Sequence, residues 1–120
     1  MSKQLRAQDF VDHILQAIER IDRYTAGMDE SGFVANEMAQ DAVIRNIEII
    51  GEASRNVQDV APEFARRHSD IPWQVMYTMR NRVSHGYHKV DLEIVWRTVK
   101  RDLPVLRHKI AEAIRTDPGT

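Results

Sequence analysis

Cysteine is absent from this sequence of 120 residues, which excludes a disulfide framework, a thiolate metal site and a Cys nucleophile. No apolar run approaches the ~18 residues that a membrane-spanning helix needs, and the N-terminal stretch MSKQLRAQDFVDHI has no apolar signal-peptide core. Glycine-rich phosphate loops and the Gly-x-Ser-x-Gly elbow of serine hydrolases are absent as well. We therefore expect a cytoplasmic protein that is neither a P-loop nucleotide hydrolase nor a serine hydrolase.

The composition is that of an ordinary globular domain, with 42% hydrophobic and 29% charged residues. It predicts one domain over residues 1–115, followed by a frayed tail at 116–120. The net charge of −1 conceals an asymmetry, because 12 acidic and 6 basic residues lie in positions 1–65, whereas 11 basic and 6 acidic residues lie in 66–120. The basic half either forms an electrostatic footprint for phosphates or balances the acidic half within a bundle or dimer.

The apolar residues recur at three- and four-residue steps, which is typical of amphipathic helices. This spacing predicts long helices over residues 3–25, 34–59, 72–86 and 91–114, and a shorter one over 62–68. Asn36 or a nearby residue is a candidate cap for the second of these helices, and Asp91 is a natural cap for the last. A loop is expected up to about Gly32, and Pro104 predicts a kink near Asp102 because proline removes a backbone donor. No alternating strand pattern occurs, so the sequence predicts an all-α bundle of about four long helices plus a short one.

Arg80 occupies an unusual position for a charged residue. On a helical wheel it lies about 40° from Met76, inside the apolar stripe of its helix. Its guanidinium must therefore extend to solvent, pair with Glu48 or Glu52 of the second long helix, or line a cleft between helices. Gly51, inside that second helix, predicts a close helix crossing there, since glycine otherwise weakens a helix.

Arg80 and His85 are the candidate catalytic pair. They lie about 140° apart on an ideal helix, so they converge on one ligand only if the last turn opens, which Gly86 allows. Beside Asn81 they would suit metal-free RNA cleavage, because imidazole moves protons near neutral pH and guanidinium binds phosphate. A second histidine, either His88 or the His85 of a symmetry-related subunit, would complete the acid–base pair. The alternative is a capping histidine with a structural arginine.

Other polar and aromatic residues have simpler interpretations. The five histidines show no i, i+4 pair, so no metal site is expected. Glu48 and Glu52 share a helix face and are expected to hold a buried arginine rather than to act as paired acid–base carboxylates. Trp73 and Trp96 occur at helical spacing among Met and Val residues, which favours a place in the core over base stacking.

The motif R-N-x-x-x-H-x-Y occurs at residues 80–87, which read RNRVSHGY, and it resembles the signature of the HepT-like toxins of the HEPN superfamily. The resemblance covers roughly residues 5–112. Further matching segments are Ile49-Ile50-Gly51-Glu52-Ala53, Ile71-Pro72-Trp73, Tyr87 to Asp91, Val95-Trp96 and Leu103-Pro104. The ordered set across one helical chain is far more specific than R-x-x-x-x-H alone.

This resemblance implies a HEPN-type helical bundle that forms a homodimer with the two motifs at its interface. It implies a metal-independent endoribonuclease with no cofactor, the toxin of a type VII-like toxin–antitoxin system. Arg80 and His85 would then be catalytic, and Asn81 would support them by orienting His85 or the phosphate. RNA would be the substrate.

The same resemblance implies a partner. The antitoxin of such a system is an MNT-type nucleotidyltransferase, which binds the toxin and can transfer AMP from ATP to the motif tyrosine, here Tyr87. Each AMP would add negative charge and bulk beside Arg80 and His85, and so repel and block a substrate phosphate.

Two other functions remain open at the sequence level. The chain could be a non-catalytic helical interaction module that docks a nucleotidyltransferase or another protein, with Arg80 and His85 serving folding or docking. Alternatively, the basic C-terminal half could belong to a DNA-binding regulator. A His85→Ala variant separates the enzyme from both alternatives.

Overall fold

The computed structural model describes residues 6–84 and 91–117. All regular secondary structure in these two ranges is helical, which confirms the all-α prediction. The elements in chain order are α1 (Ala7–Tyr24), α2 (Glu30–Val34), α3 (Glu37–Val60), α4 (Pro62–Arg67), α5 (Trp73–Ser84), α6 (Leu92–Arg97), a π-helical turn (Thr98–Asp102) and α7 (Leu103–Thr116). Within the described residues, the four long helices and the short helix after Pro62 lie close to where the apolar spacing predicted them, the fourth as α6, the π-helical turn and α7 in succession.

Helix α3 is the centre of the bundle, because both α1 and α5 pack along it. It begins at Glu37, slightly later than the expected start at about Val34, because the Asn36 side chain accepts a hydrogen bond of 3.0 Å from the Ala39 amide and caps the first turn. The core between these helices is formed by buried apolar side chains on their facing stripes. Those on α1 and α3 include Phe10, Val11, Ile14, Ile18, Ile21, Val43, Ile47, Ile50 and Val57.

One part of the helix prediction was wrong. A short helix, α2, begins at Glu30, where a loop was expected to continue to about Gly32. The Asp29 carboxylate accepts a hydrogen bond of 2.7 Å from the Gly32 amide and caps this helix. The turn also buries Phe33 completely against the Trp96 ring, with 5.2 Å between ring centroids. Asp and Ser at a helix start can be read equally well as turn residues, so the local pattern alone did not identify the helix.

The C-terminal helical rod contains an irregular turn at the position where a kink was predicted. Asp91 caps α6 by accepting hydrogen bonds from the Glu93 and Ile94 amides. The Leu103 amide then donates to the Thr98 carbonyl, five residues back, which closes a π-helical turn. Pro104 accounts for it, because proline has no amide to continue the α-helical ladder and its ring crowds the preceding turn.

Asp117, which directly follows α7, contacts the C-terminal end of α4. This carboxylate lies 3.1 Å from an Arg67 guanidinium nitrogen and 2.7 Å from His68 Nε2. The single domain over residues 1–115 and the tail at 116–120 stay predictions, with Asp117 held at the edge of that tail. None of the helices in residues 6–84 and 91–117 combines the length and apolar character needed to cross a bilayer.

Candidate active site

The site is built around the closest approach of α3 and α5. A Cβ atom added at Gly51 would lie 2.4 Å from the Arg80 Cβ and 3.0 Å from the Met76 carbonyl oxygen. No side chain fits at that distance, so glycine is what allows the two helices to touch here. The close crossing predicted from Gly51 is therefore confirmed, and it places the stem of Arg80 directly on the backbone of α3.

The Arg80 guanidinium is held by three neighbours. Its Nε lies 3.2 Å from Glu52 Oε2 on α3, and one terminal nitrogen donates a hydrogen bond of 3.2 Å to Asn81 Oδ1. Its Cζ lies 5.7 Å from the centroid of the Tyr77 ring, one turn earlier on α5. The Arg80 side chain is 31% exposed, so a restrained guanidinium is presented at the surface.

Two of the three placements expected for Arg80 occur together, because its side chain pairs with an acid and also lines a cleft. Glu52 is the partner that holds it, as predicted, whereas Glu48 lies 3.8 Å from Arg45 one turn away on the same helix. Asn81 contacts Arg80 directly, which fits a supporting role in the site.

The other half of the motif lies outside the described residues. His85, Gly86, Tyr87 and His88 all fall in positions 85–90, between α5 and α6. The convergence of Arg80 and His85 at an opened helix end stays a prediction, as do the roles of Tyr87 and of a second histidine.

A polar cleft of about 310 Å³ adjoins Arg80, and sequence reasoning missed it. We call it the α1/α3/α5 cleft; its polar lining residues are His13, Arg45, Glu48, Glu52, Asn56 and Arg80. No local signal joins His13 to this group, because it is an isolated histidine on α1. Asn56 could have been found, since it lies on α3 one turn after Glu52.

Tyr77 was also missed, although its position three residues before Arg80 puts the two side chains on one helix face. Its hydroxyl accepts a hydrogen bond of 2.5 Å from Arg55 of α3, and the Arg55 guanidinium also lies over the Tyr77 ring. The contact with Tyr77 and the smaller effect of Asp59 raise the pKa of the exposed Arg55. These contacts join α3 to α5 along the same edge as the Glu52–Arg80 pair.

Some basic residues of the C-terminal half form ion pairs with acidic residues of other helices. Arg107 of α7 pairs with Asp22 of α1 at 3.1 Å, and Arg80 pairs with Glu52 of the acidic half. Both tryptophans are buried, which confirms their place in the core: Trp73 donates its indole N–H to the His68 carbonyl, and Trp96 packs on Phe33. In the described part of the chain, no three His, Asp or Glu side chains are grouped so that they could hold a metal ion.

Comparison with known proteins adds the family. The model of a family described as "Ribonuclease HepT-like" matches residues 14–113. A protein from Thermococcus cleftensis named "Probable ribonuclease HepT" is 41% identical over 102 residues, which cover 85% of this chain and 90% of that protein.

Two further relatives are similar over most of this chain. A "Putative RNase" from Caldanaerobacter subterraneus is 32% identical over 90% of this chain and 94% of its own length. A protein from Methanocaldococcus jannaschii named "Gamma-glutamylcyclotransferase and putative RNase" is 42% identical over 84% of this chain, which spans only 44% of that relative. No solved structure is significantly similar to the chain. The resemblance that the motif at residues 80–87 indicated is confirmed, and the chain belongs to the ribonuclease HepT-like family.

Proposed function

We propose that this member of a ribonuclease family cleaves RNA internally and without a metal ion, with Arg80 and His85 as its catalytic residues. The observation that carries the proposal is the state of Arg80, a guanidinium restrained by Glu52, Asn81 and Tyr77 at the rim of a polar cleft. A structural arginine needs neither a cleft nor an exposed guanidinium. Donors fixed in advance are what a phosphate needs as its charge grows during cleavage.

The reaction that suits these groups is attack by a ribose 2′-hydroxyl on the adjacent phosphate. The 2′-oxygen forms a bond to phosphorus while the bond from phosphorus to the 5′-oxygen breaks. An imidazole takes the 2′-hydroxyl proton, a protonated imidazole gives one to the leaving 5′-oxygen, and Arg80 donates to a non-bridging oxygen. His85 would supply one of these imidazoles, and His88 or the partner subunit's His85 would supply the other.

The proposal includes the assembly and its control. The chain forms a homodimer with both motifs at the interface, and it is the toxin of a type VII-like toxin–antitoxin pair. An MNT-type nucleotidyltransferase antitoxin binds it and transfers AMP to Tyr87. Tyr87 lies two residues after His85 in the sequence, so the added phosphate and nucleoside would exclude a substrate phosphate by charge and bulk.

The test is cleavage of total cellular RNA by purified wild-type protein in EDTA, with intact mass confirming that Tyr87 is unmodified. His85→Ala and Arg80→Ala are compared with it at equal concentration, after circular dichroism shows equal helix content. We expect wild type alone to cleave, with each variant slower by about 10²-fold or more, because general acid–base catalysis and oxyanion stabilisation each contribute factors of that size.

Equal cleavage by wild type and His85→Ala would contradict the assignment of His85. Absence of cleavage by unmodified wild type against total RNA would favour the interaction module that docks a nucleotidyltransferase. Salt-dependent retention of DNA, unchanged in His85→Ala, would favour the DNA-binding regulator.

A further inference from the structure

The α1/α3/α5 cleft shares Arg80 with the proposed catalytic site, so anything bound in it lies against the catalytic guanidinium. We propose that this cleft is the binding site for the single-stranded RNA nucleotide next to the scissile phosphate, with Arg45 contacting its phosphate and His13 its base. This inference rests on the proposed ribonuclease function, because RNA cleavage at Arg80 is what puts a nucleotide beside the cleft.

The size and lining of the cleft fit one nucleotide. Its volume of about 310 Å³ is at the lower end of the ~300–1,000 Å³ range of small-molecule sites, which suits a single nucleotide rather than a duplex. Ile49 and Ala53 add an apolar surface between the charged groups. The side-chain amide of Asn56 makes no hydrogen bond to the described part of the chain, so its N–H groups and its oxygen are available for a base edge.

Arg45 is suited to contact a phosphate because little holds it elsewhere. Its side chain is 71% exposed, and its pairing distance of 3.8 Å to Glu48 is long for an ion pair. An exposed pair of this kind contributes little to stability, so the guanidinium can turn towards an anion at small cost. Arg80, by contrast, is held by Glu52. The two arginines would therefore bind successive phosphates, with Arg80 as the rigid contact and Arg45 as the adaptable one.

His13 is suited to contact a base. It is an exposed residue on the α1 side of the cleft, opposite the α5 side that carries Arg80. Its ring is in edge contact with Phe10, with 6.3 Å between centroids, which restricts its orientation. Proteins that bind single-stranded RNA stack unpaired bases on aromatic rings, histidine included. A nucleotide with its phosphate at Arg45, next to the scissile phosphate at Arg80, would have its base within the same cleft as this ring.

The chain supplies matched controls outside the cleft. Arg115 of α7 is 68% exposed and pairs with Glu112 at i, i+3, as Arg45 does with Glu48. This control pair is formed, since an Arg115 guanidinium nitrogen donates a hydrogen bond of 2.6 Å to Glu112 Oε2, and that hydrogen bond lowers the pKa of the Glu112 carboxyl. His108 of α7 is an exposed histidine like His13. Neither Arg115 nor His108 lines the cleft.

The experiment measures kcat and KM for a short single-stranded RNA with Arg45→Ala, His13→Ala, Arg115→Ala and His108→Ala. We expect Arg45→Ala and His13→Ala to raise KM about five- to tenfold while kcat stays within about twofold, because they remove ground-state binding. Binding of the same RNA to His85→Ala should lose about 0.7 from its log–log salt slope when Arg45→Ala is added, the value for one phosphate contact on a single strand. Arg115→Ala and His108→Ala should match wild type.

The proposal is overturned if wild type cleaves RNA and the two cleft variants, Arg45→Ala and His13→Ala, have the same KM as the two control variants. If wild type does not cleave, the ribonuclease function fails separately, and chemical-shift titration of the wild-type protein with adenosine and uridine monophosphates still decides the cleft. Shifts that Arg45→Ala abolishes would keep the nucleotide site, whereas equal shifts in wild type and Arg45→Ala would remove it.

Discussion

Two cavities of nearly equal size lie beside α5, and they differ in the chemistry of their linings. The α1/α3/α5 cleft, of about 310 Å³, has charged and amide side chains on its walls. The second cavity, of about 300 Å³, is an apolar groove beside α5 and α7, which we call the α5/α7 groove. Its apolar lining residues are Ile47, Ile50, Pro72, Val75, Met76, Met79, Leu103, Val105 and Leu106.

The difference predicts that the two sides of α5 serve different purposes. The floor of the α5/α7 groove is part of the hydrophobic core, since Met76, Leu103 and Leu106 are buried. The walls of the α1/α3/α5 cleft carry partly exposed ion pairs such as Arg45–Glu48, and pairs that remain in contact with solvent contribute little to folding. Substitutions at the groove should therefore change the free energy of unfolding, and substitutions at the cleft should change RNA cleavage.

The largest effect is expected for Leu106→Ala. The Leu106 side chain is 5% exposed, so its truncation leaves a cavity and should lower the free energy of unfolding by about 2–5 kcal/mol. Urea denaturation at 25 °C measures this loss, and kcat of the folded protein should be unchanged. Arg45→Ala is the opposite case, with stability within about 0.5 kcal/mol of wild type and altered RNA binding. Equal stability losses in both variants would break the distinction between the two cavities.

Gly51→Ala connects the two regions, because Gly51 lies where α3 meets α5. The new methyl would lie 2.4 Å from the Arg80 Cβ, so α5 must move away from α3. We expect a loss of about 1–3 kcal/mol from overpacking, reduced by the better helix propensity of alanine, together with slower RNA cleavage as Arg80 shifts. Thermal denaturation and cleavage rates check both effects.

Gly32→Ala is the comparison for this prediction, since its new methyl would meet Asp29 Oδ1, the cap of α2, at 3.2 Å and would leave the contact between α3 and α5 unchanged. An increase in the melting temperature of Gly51→Ala would show that the helices do not approach as closely as this contact requires.

The sequence predicted the helices well because their apolar spacing is regular. It predicted the ends that depend on single residues, such as the Asn36 and Asp91 caps. It did not predict α2, whose formation depends on burying Phe33 against Trp96, a contact between residues distant in the chain. The sequence predicted an irregularity near Pro104 correctly, but it predicted a kink rather than a π-helical turn. Which of the two forms depends on which amides the carbonyls before the proline bond to, and the sequence does not show this.

The site was predicted to the extent that it lies within one helix. The unusual position of Arg80 followed from helical geometry, which left Glu48 and Glu52 open as its partner, and the close helix crossing followed from the glycine that precedes Glu52. The pairing with Glu52 rather than Glu48 was decided by how α3 and α5 pack. The α1/α3/α5 cleft did not follow, because it brings His13 to residues 30 or more positions away, and only tertiary packing determines that distance.

The smallest effect is expected at Glu52, which we infer to be a positioning residue for Arg80. The Glu52 side chain is 54% exposed, so its ion pair should contribute no more than about 1 kcal/mol to stability. Glu52→Ala should lower kcat about tenfold, equivalent to ~1.4 kcal/mol, because the guanidinium is no longer held by its Nε. Glu52→Gln should recover most of that loss, since the amide oxygen can still accept from Arg80 Nε.

Glu112→Ala is the matched control for Glu52, since it also removes a half-exposed carboxylate from an arginine pair on a helix, far from Arg80 in the sequence. Steady-state cleavage kinetics and melting curves distinguish positioning from stability. A positioning role predicts that kcat falls for Glu52→Ala alone, that glutamine restores it, and that all three variants melt within a few degrees of wild type. A fall in melting temperature in proportion to the lost activity would instead make the Glu52–Arg80 pair a structural contact, and the polar cleft would then resemble the apolar groove in supporting the fold.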